Sequence, residues 1–179
     1  PPPCNSKYTG DKVRIKYFGH ACILIETKNV SILVDPIISY NYDSDIPRYT
    51  YQDLPDWIDY VLITHCHQDH FLPETLIQLR HKIGCVVVGR NCEGAIQDPS
   101  LSLMLKYLGF KNIIELREMD DIVISDGIIA GLPFIGEHHD LLVRSKLTYM
   151  VRLFGRSIMI FADSCNIDPI LYKHIHQYS

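Results

Sequence analysis

Thr64-His65-Cys66-His67-Gln68-Asp69-His70 is the stretch on which the reading of this chain turns. It follows the apolar run Tyr60-Val61-Leu62-Ile63, which reads as a buried strand. On an extended chain alternate residues share a face, so His65 and His67 point one way and Cys66 the other. Two imidazoles placed like this at a strand end can reach one metal ion. Phe71-Leu72-Pro73-Glu74 has the marks of a helix start, with Pro early and an acid in the first turn. Asp69 and His70 then lie in the intervening loop, where they can serve a second ion. Nine histidines in all leave scattered surface residues as the plain alternative, but three with an acid at this spacing favour metal.

Outward from this motif, 13–18, 22–26 and 30–35 read as three consecutive strands, the last two joined by a hairpin turn at Thr27-Lys28-Asn29. Residues 36–58, rich in Tyr and Asp and broken by Pro36, Pro47 and Pro55, suit an irregular loop long enough to be a substrate lid. Beyond the motif the pattern predicts a helix near 73–82, a strand at 85–89 and a helix near 101–109 ending at Gly109. Short strands follow at 113–116, 121–124, 128–132, 148–153 and 157–161, with Gly127 and Gly155 in tight turns. Strands around a βαβα run, then more strands, make a mixed α/β (α+β) class.

A chain of 179 residues with 47% apolar and 21% charged residues is one globular domain in size and composition. The apolar stretches are strand-sized and the start Pro1-Pro2-Pro3-Cys4-Asn5-Ser6 lacks the features of a signal peptide, so no membrane association and a cytoplasmic location are expected. The six cysteines, Cys4, Cys22, Cys66, Cys85, Cys92 and Cys165, form no CxxC pair and sit mostly in apolar surroundings, which suits free thiols. A net charge of −4 without a Lys/Arg run argues against nucleic acid as a partner. Residues 1–10, opening on prolines without an initiator Met, read as a linker or boundary segment of a longer chain, and 11–179 as the domain.

His65-x-His67-x-Asp69-His70 resembles the metal motif of the metallo-β-lactamase superfamily, whose fold is an αββα sandwich holding one or two metals at the sheet edges. Three further segments extend the resemblance over nearly the whole chain. Val34-Asp35-Pro36 resembles the first motif, whose Asp supports the site loop through hydrogen bonds without touching metal; an ordinary turn Asp is the alternative. Gly19-His20-Ala21-Cys22 resembles the Gly-His segment of the branch containing ascorbate-6-phosphate lactonase-like proteins, with His20 either at the pocket edge or structural. Ile160-Phe161-Ala162-Asp163-Ser164 resembles the fourth motif, whose Asp bridges both ions, and Asp69 and Asp163 are the residues expected to take part in catalysis.

The third motif departs from the hydrolases. Pro133-Phe134-Ile135-Gly136-Glu137-His138-His139-Asp140 offers Glu137, His138 or His139, and its Gly-Glu-His-x-Asp segment resembles the di-iron β-hydroxylases of antibiotic biosynthesis, of the chloramphenicol-pathway type. In that branch the Glu is the ligand. A carboxylate in place of an imidazole is a harder, anionic donor, which favours iron or manganese over zinc. The alternative keeps Glu137 as a loop acid and His138 on zinc.

The resemblance implies two metal ions, iron favoured and zinc or manganese the other candidates. It also implies oxygen insertion into an amino acid tethered to a carrier protein. The rival reading is zinc-dependent hydrolysis of a small-molecule lactone, amide or phosphoester. A metal-binding remnant without turnover is a third. Arg144 and Lys146 could meet an acidic carrier, although a solvated charged loop explains them equally well. A last superfamily ligand, a late His, is expected well after the bridging Asp, yet only sixteen residues follow Asp163. His174 and His176, two apart on an expected helix, do not share a face. The C-terminal part of the fold is therefore expected to be absent, with the rest of a longer chain or a homo-oligomer covering the exposed sheet.

Overall fold

The computed structural model describes residues 7–38, 48–91, 100–136, 145–165 and 173. Glu137, His138, His139, Arg144, His174 and His176 lie outside the described residues, as does most of the Tyr40 to Tyr51 loop.

The opening strands β1 (Arg14–Gly19), β2 (Cys22–Glu26) and β3 (Ser31–Val34) pair antiparallel. The sheet then turns parallel through β4 (Ile58–Ile63), β5 (Ile83–Gly89) and β6 (Ile113–Leu116), giving six strands in sequence order. Between β4 and β5 runs α1 (Pro73–Leu79), with Pro73 at its first turn, closed by a 3₁₀ turn at Arg80–Lys82. α2 (Leu101–Tyr107) joins β5 to β6 and starts at Ser100, whose side chain accepts a hydrogen bond from the Leu103 N–H. The second sheet, order β10-β9-β8-β7, is an antiparallel meander of β7 (Asp121–Ile124), β8 (Gly127–Leu132), β9 (Thr148–Leu153) and β10 (Arg156–Ile160).

Period-two alternation sorts the apolar side chains into layers. From β3, β4 and β5, Leu33, Val61, Ile63, Val86 and Val88 meet Leu76, Leu79, Leu101 and Leu105 of the helices. The intervening Ile32, Val34, Leu62 and Val87 meet Ile129, Tyr149, Val151 and Leu153 of the second sheet. β4 and β5 are buried on both faces, which is why they read as continuous apolar runs. A third, smaller cluster of Ala130, Leu132 and Met150 lies apart from both, with Met119, Ile128 and Met159 packed against it. One helix layer and two sheets are three of the four layers of the expected αββα sandwich, with helices described on one side of the sheet pair.

Every expected strand forms, with small shifts at the ends. β4 begins at Ile58, inside the stretch expected to be irregular, because Ile58 pairs with Ile83 across the parallel ladder. The helix expected over 73–82 is α-helical only to Leu79 and tightens to 3₁₀ geometry at its end. The expected lid has a single 3₁₀ turn, Tyr51–Asp53, among its described residues, opened by a capping box between Thr50 and Asp53.

Parallel pairing brings the C-terminal ends of β3, β4 and β5 to one edge, where open α/β sheets build ligand sites. The second sheet is latched to that edge. The Tyr149 hydroxyl, fully buried, donates to the Ile63 carbonyl at 2.9 Å, and the Leu147 N–H donates to the Thr64 carbonyl at 2.8 Å. Burial pushes the Tyr149 phenol well above its ordinary range, so it remains a donor. A Cβ at Gly89 would stand 2.9 Å from the Lys146 nitrogen, so only glycine lets these two segments approach so closely.

Candidate metal centre

Four chain segments meet at this edge. β3 delivers Asp35 at its end, with φ +38 and no exposed surface. The loop after β4 delivers His65, His67, Asp69 and His70; the bulged turn between β1 and β2 delivers His20; the turn after β10 delivers Asp163. His65 and His70 are completely buried.

Asp35 organises the loop. Its Oδ1 accepts from the Thr64 N–H at 2.8 Å, and its Oδ2 accepts from the Thr64 hydroxyl at 2.7 Å and from His70 Nδ1 at 2.8 Å. Burial pushes this carboxyl above the usual carboxylate range, against the pull of the His70 and Thr64 hydrogen bonds. Because the Thr64 hydroxyl proton is used on Asp35, its oxygen accepts from His65 Nδ1 at 3.0 Å. Both imidazoles are thereby held with Nδ1 as the donor and Nε2 turned to the remaining acids, as in carboxylate-supported metal histidines.

The Nε2 atoms converge. His70 Nε2 lies 3.3 Å from Asp163 Oδ2, 3.9 Å from Asp69 Oδ2 and 3.2 Å from His20 Nε2. His65 Nε2 lies 3.8 Å from Asp163 Oδ2, and the His65 ring centroid is 4.8 Å from that of His67 and 4.2 Å from that of His70. Two donor groups result: His65, His67 and Asp163 in one, and His20, Asp69 and His70 in the other, the donor atoms within each lying within 4.8 Å of one another.

The electrostatics suit cations. Burial, and then the neighbouring His70 and His67, push His65 down to about 3, so its ring is neutral and a lone-pair donor. Burial opposes ionisation of His70, but the hydrogen bond and charge of Asp35, with Asp163 and Asp69, hold it above its ordinary value. Burial would raise Asp69, yet its own backbone N–H and the His70, His20 and His65 imidazoles keep it below the usual carboxylate range. Nitrogen lone pairs and carboxylates gathered so closely call for positive charge between them, and a mixed His/Asp set of this kind suits iron, zinc or manganese.

Phe134 packs on His65 with ring centroids 5.2 Å apart, and Lys146 lies over Phe134, 5.3 Å from the ring centroid. The segment ahead of Glu137 runs beside the segment after Asp163. Ser164 Oγ accepts from the Ile135 N–H at 2.9 Å, and the Cys165 N–H donates to the Ile135 carbonyl at 2.8 Å. On the other side, His20 opens onto a cleft of about 730 Å³ lined by Tyr17, Phe18, Arg48, Tyr49 and Asp53. Sequence reading missed the packing of Phe134 on His65 and of Lys146 on Phe134; apolar and charged loop residues carry no signal of their position in space.

The model of the beta-lactamase superfamily domain matches residues 14–147, and the chain belongs to that superfamily. Within it, the chain resembles the di-iron β-hydroxylases. It is 40% identical over 163 residues, 90% of its length, to the 4-amino-L-phenylalanyl-[CmlP-peptidyl-carrier-protein] 3-hydroxylase of Streptomyces venezuelae. The crystal structure of CmlA, a di-iron β-hydroxylase from the same organism, superposes with a TM-score of 0.85 at 38% identity, covering 94% of this chain and 33% of that one. A UPF0173 metal-dependent hydrolase of Staphylococcus aureus is 34% identical over 77 residues, 43% of this chain and 31% of the relative. Igni18, a metallo hydrolase from Ignicoccus hospitalis, shares the fold at a TM-score of 0.62 and 23% identity, over 85% of this chain and 61% of its own. The chain spans about a third of the length of the curated hydroxylase it matches. It is thus related to metal-dependent enzymes with a metallo-β-lactamase fold. No helix among the described residues is long and apolar enough to cross a membrane.

Proposed function

We propose that this chain is the metal-binding part of a dioxygen-activating di-iron hydroxylase that acts on an amino acid carried by a peptidyl carrier protein. The observation that carries this reading over hydrolysis is the extent of the likeness, 163 residues at 40% identity to the hydroxylase against 77 residues at 34% to the hydrolase. The geometry supports two adjacent metal positions, one held by His65, His67 and Asp163 and the other by Asp69 and His70, with Asp163 Oδ2 facing both His65 and His70. Glu137, the ligand that the resemblance to the hydroxylases implies, would add the further carboxylate that iron prefers.

Two irons at this site would supply the activation of dioxygen for oxygen insertion into a C–H bond of the amino acid. The chain's own residues do the rest. Asp35 fixes the orientation of His70 and, through Thr64, of His65; Tyr149 and Leu147 hold the loop against the second sheet. Phe134 and the buried strand ends keep the inner side of the site dry, while the cleft beside His20 is its open side. Asp69 and Asp163 are the acids placed to orient the reacting groups. Lys146, and Arg144 close to it in sequence, offer positive charge for an acidic carrier.

The second reading, a binuclear zinc hydrolase, is favoured by the hydrolase relatives and by His138 standing next to Glu137 in sequence. Elemental analysis with an optical spectrum separates the two. The protein isolated without added metal is expected to carry about two irons per chain and near-ultraviolet oxo-bridge absorption; Glu137→Ala should lose most of the iron and His138→Ala should keep it. About two zincs, a featureless spectrum and loss of metal on His138→Ala would establish the hydrolase instead.

A further inference from the structure

The Gly-His pair that sequence reading leaves between a pocket-edge and a structural role sits in an unusual turn. Pairing of β1 with β2 shifts register between Tyr17 and Gly19, and the chain passes through Gly19 at φ +128 and His20 at φ +48. The left-handed backbone at His20 turns its ring off the sheet edge and toward the loop after β4. There His20 Nε2 stands 3.2 Å from His70 Nε2 and 3.2 Å from Asp69 Oδ2, closer to Asp69 than His70 is at 3.9 Å.

The two 3.2 Å separations made by His20 suit donor atoms that share one ion. Two donors each about 2.0–2.1 Å from one first-row metal lie roughly 2.8–3.4 Å apart at right-angle to tetrahedral geometry. His70 already spends Nδ1 on Asp35, so Nε2 is the ring nitrogen it turns to His20. A proton on His20 Nε2 can serve His70 or Asp69 but not both fully; a cation between them satisfies all three. We propose that His20 is a ligand of the second metal position, joining Asp69, His70 and Asp163 from the β1–β2 turn at the same edge of the first sheet. This rests on the binuclear reading above. It makes the β1–β2 turn part of the metal centre and sets one ligand on the rim of the open cleft.

The test is anaerobic iron(II) binding to the metal-free full-length protein, with pulsed EPR of the mixed-valence form to count histidine nitrogens. His20→Asn is the variant, because asparagine tolerates the left-handed backbone and preserves the turn. The wild type should bind about two irons. His20→Asn should keep the first at unchanged affinity and bind the second at least tenfold more weakly, with one coupled nitrogen fewer. Two irons at wild-type affinity with an unchanged nitrogen count would overturn the assignment of His20 and leave the binuclear centre standing. A weaker second iron with an unchanged count would make His20 a hydrogen-bonding neighbour and also overturn it, as would loss of both irons from folded variant. A wild type unable to take a second iron would overturn the binuclear reading itself.

Discussion

Asp35 shows how much of a metal centre depends on a residue that touches none of the proposed ions. Three donors meet one fully buried carboxylate, two from Thr64 and one from His70. Asp35→Asn would be nearly isosteric, but an amide has only one acceptor oxygen and brings an NH₂ donor against the Thr64 N–H, the Thr64 hydroxyl or His70 Nδ1. The His70 tautomer is then no longer fixed. Metal affinity at the second position should fall about 10–100-fold, the usual cost of removing such a support, while the first position changes less. Stepwise iron titration of the variant measures both; equal weakening of the two steps would contradict the division of labour. At this scale the sequence was informative because chemistry-bearing residues cluster in it. His65, His67, Asp69 and His70 lie within one loop, and Asp35 and Asp163 end apolar strands. His20 was ambiguous for a physical reason: its proximity to His70 arises across fifty positions of chain, through a bulge that local pattern does not announce.

At the scale of elements, the two sheets are joined at their far ends by turns as well as by packing. Asp126, in the β7–β8 turn with φ +67, accepts from Thr27 Oγ1 at 2.6 Å and from Asn29 Nδ2 at 2.9 Å in the β2–β3 turn. These bonds, Thr27 first, hold the Asp126 carboxyl below its ordinary value. A carboxyl whose pKa is lower in the folded than in the unfolded state stabilises the fold above its unfolded pKa, near 3.9. That contribution disappears as pH falls through the folded value. Asp126→Asn tolerates the same left-handed turn but cannot titrate, so the wild type should lose its stability advantage over this variant as pH drops from about 5 to about 2. Urea unfolding of both proteins across that range reads the difference, and parallel curves would refute the link. The hairpin turn at 27–29 and the strands on either side were legible in the sequence; the partnership of two turns from different sheets was not, since it follows only from how the layers stack.

For the whole molecule, the proposed centre is a clasp between halves that fold from different stretches of chain. His65, His67, Asp69 and His70 extend from the first sheet, Asp163 from the last strand of the second, and the layers between them are held by Tyr149, Leu62 and Val87. The strand succession revealed the layers before the structure did, because β4 and β5 are buried on both faces and the outer strands alternate. What the sequence could not supply is how the sheets meet at the site edge, which depends on the Tyr149 and Leu147 hydrogen bonds. A ligand that binds only the folded state stabilises it by mass action, about 2.7 kcal/mol at a hundred times its dissociation constant. Here the gain should be concentrated where the halves join. Removing metal with a chelator is expected to lower Tm and to speed amide exchange in β9 and β10 more than in β4 and β5, since only the second sheet loses its tie through Asp163. Asp163→Asn should reproduce that exchange pattern with metal present. Uniform acceleration across both sheets would mean that the metals stabilise the loop after β4 alone and do not bind the halves together.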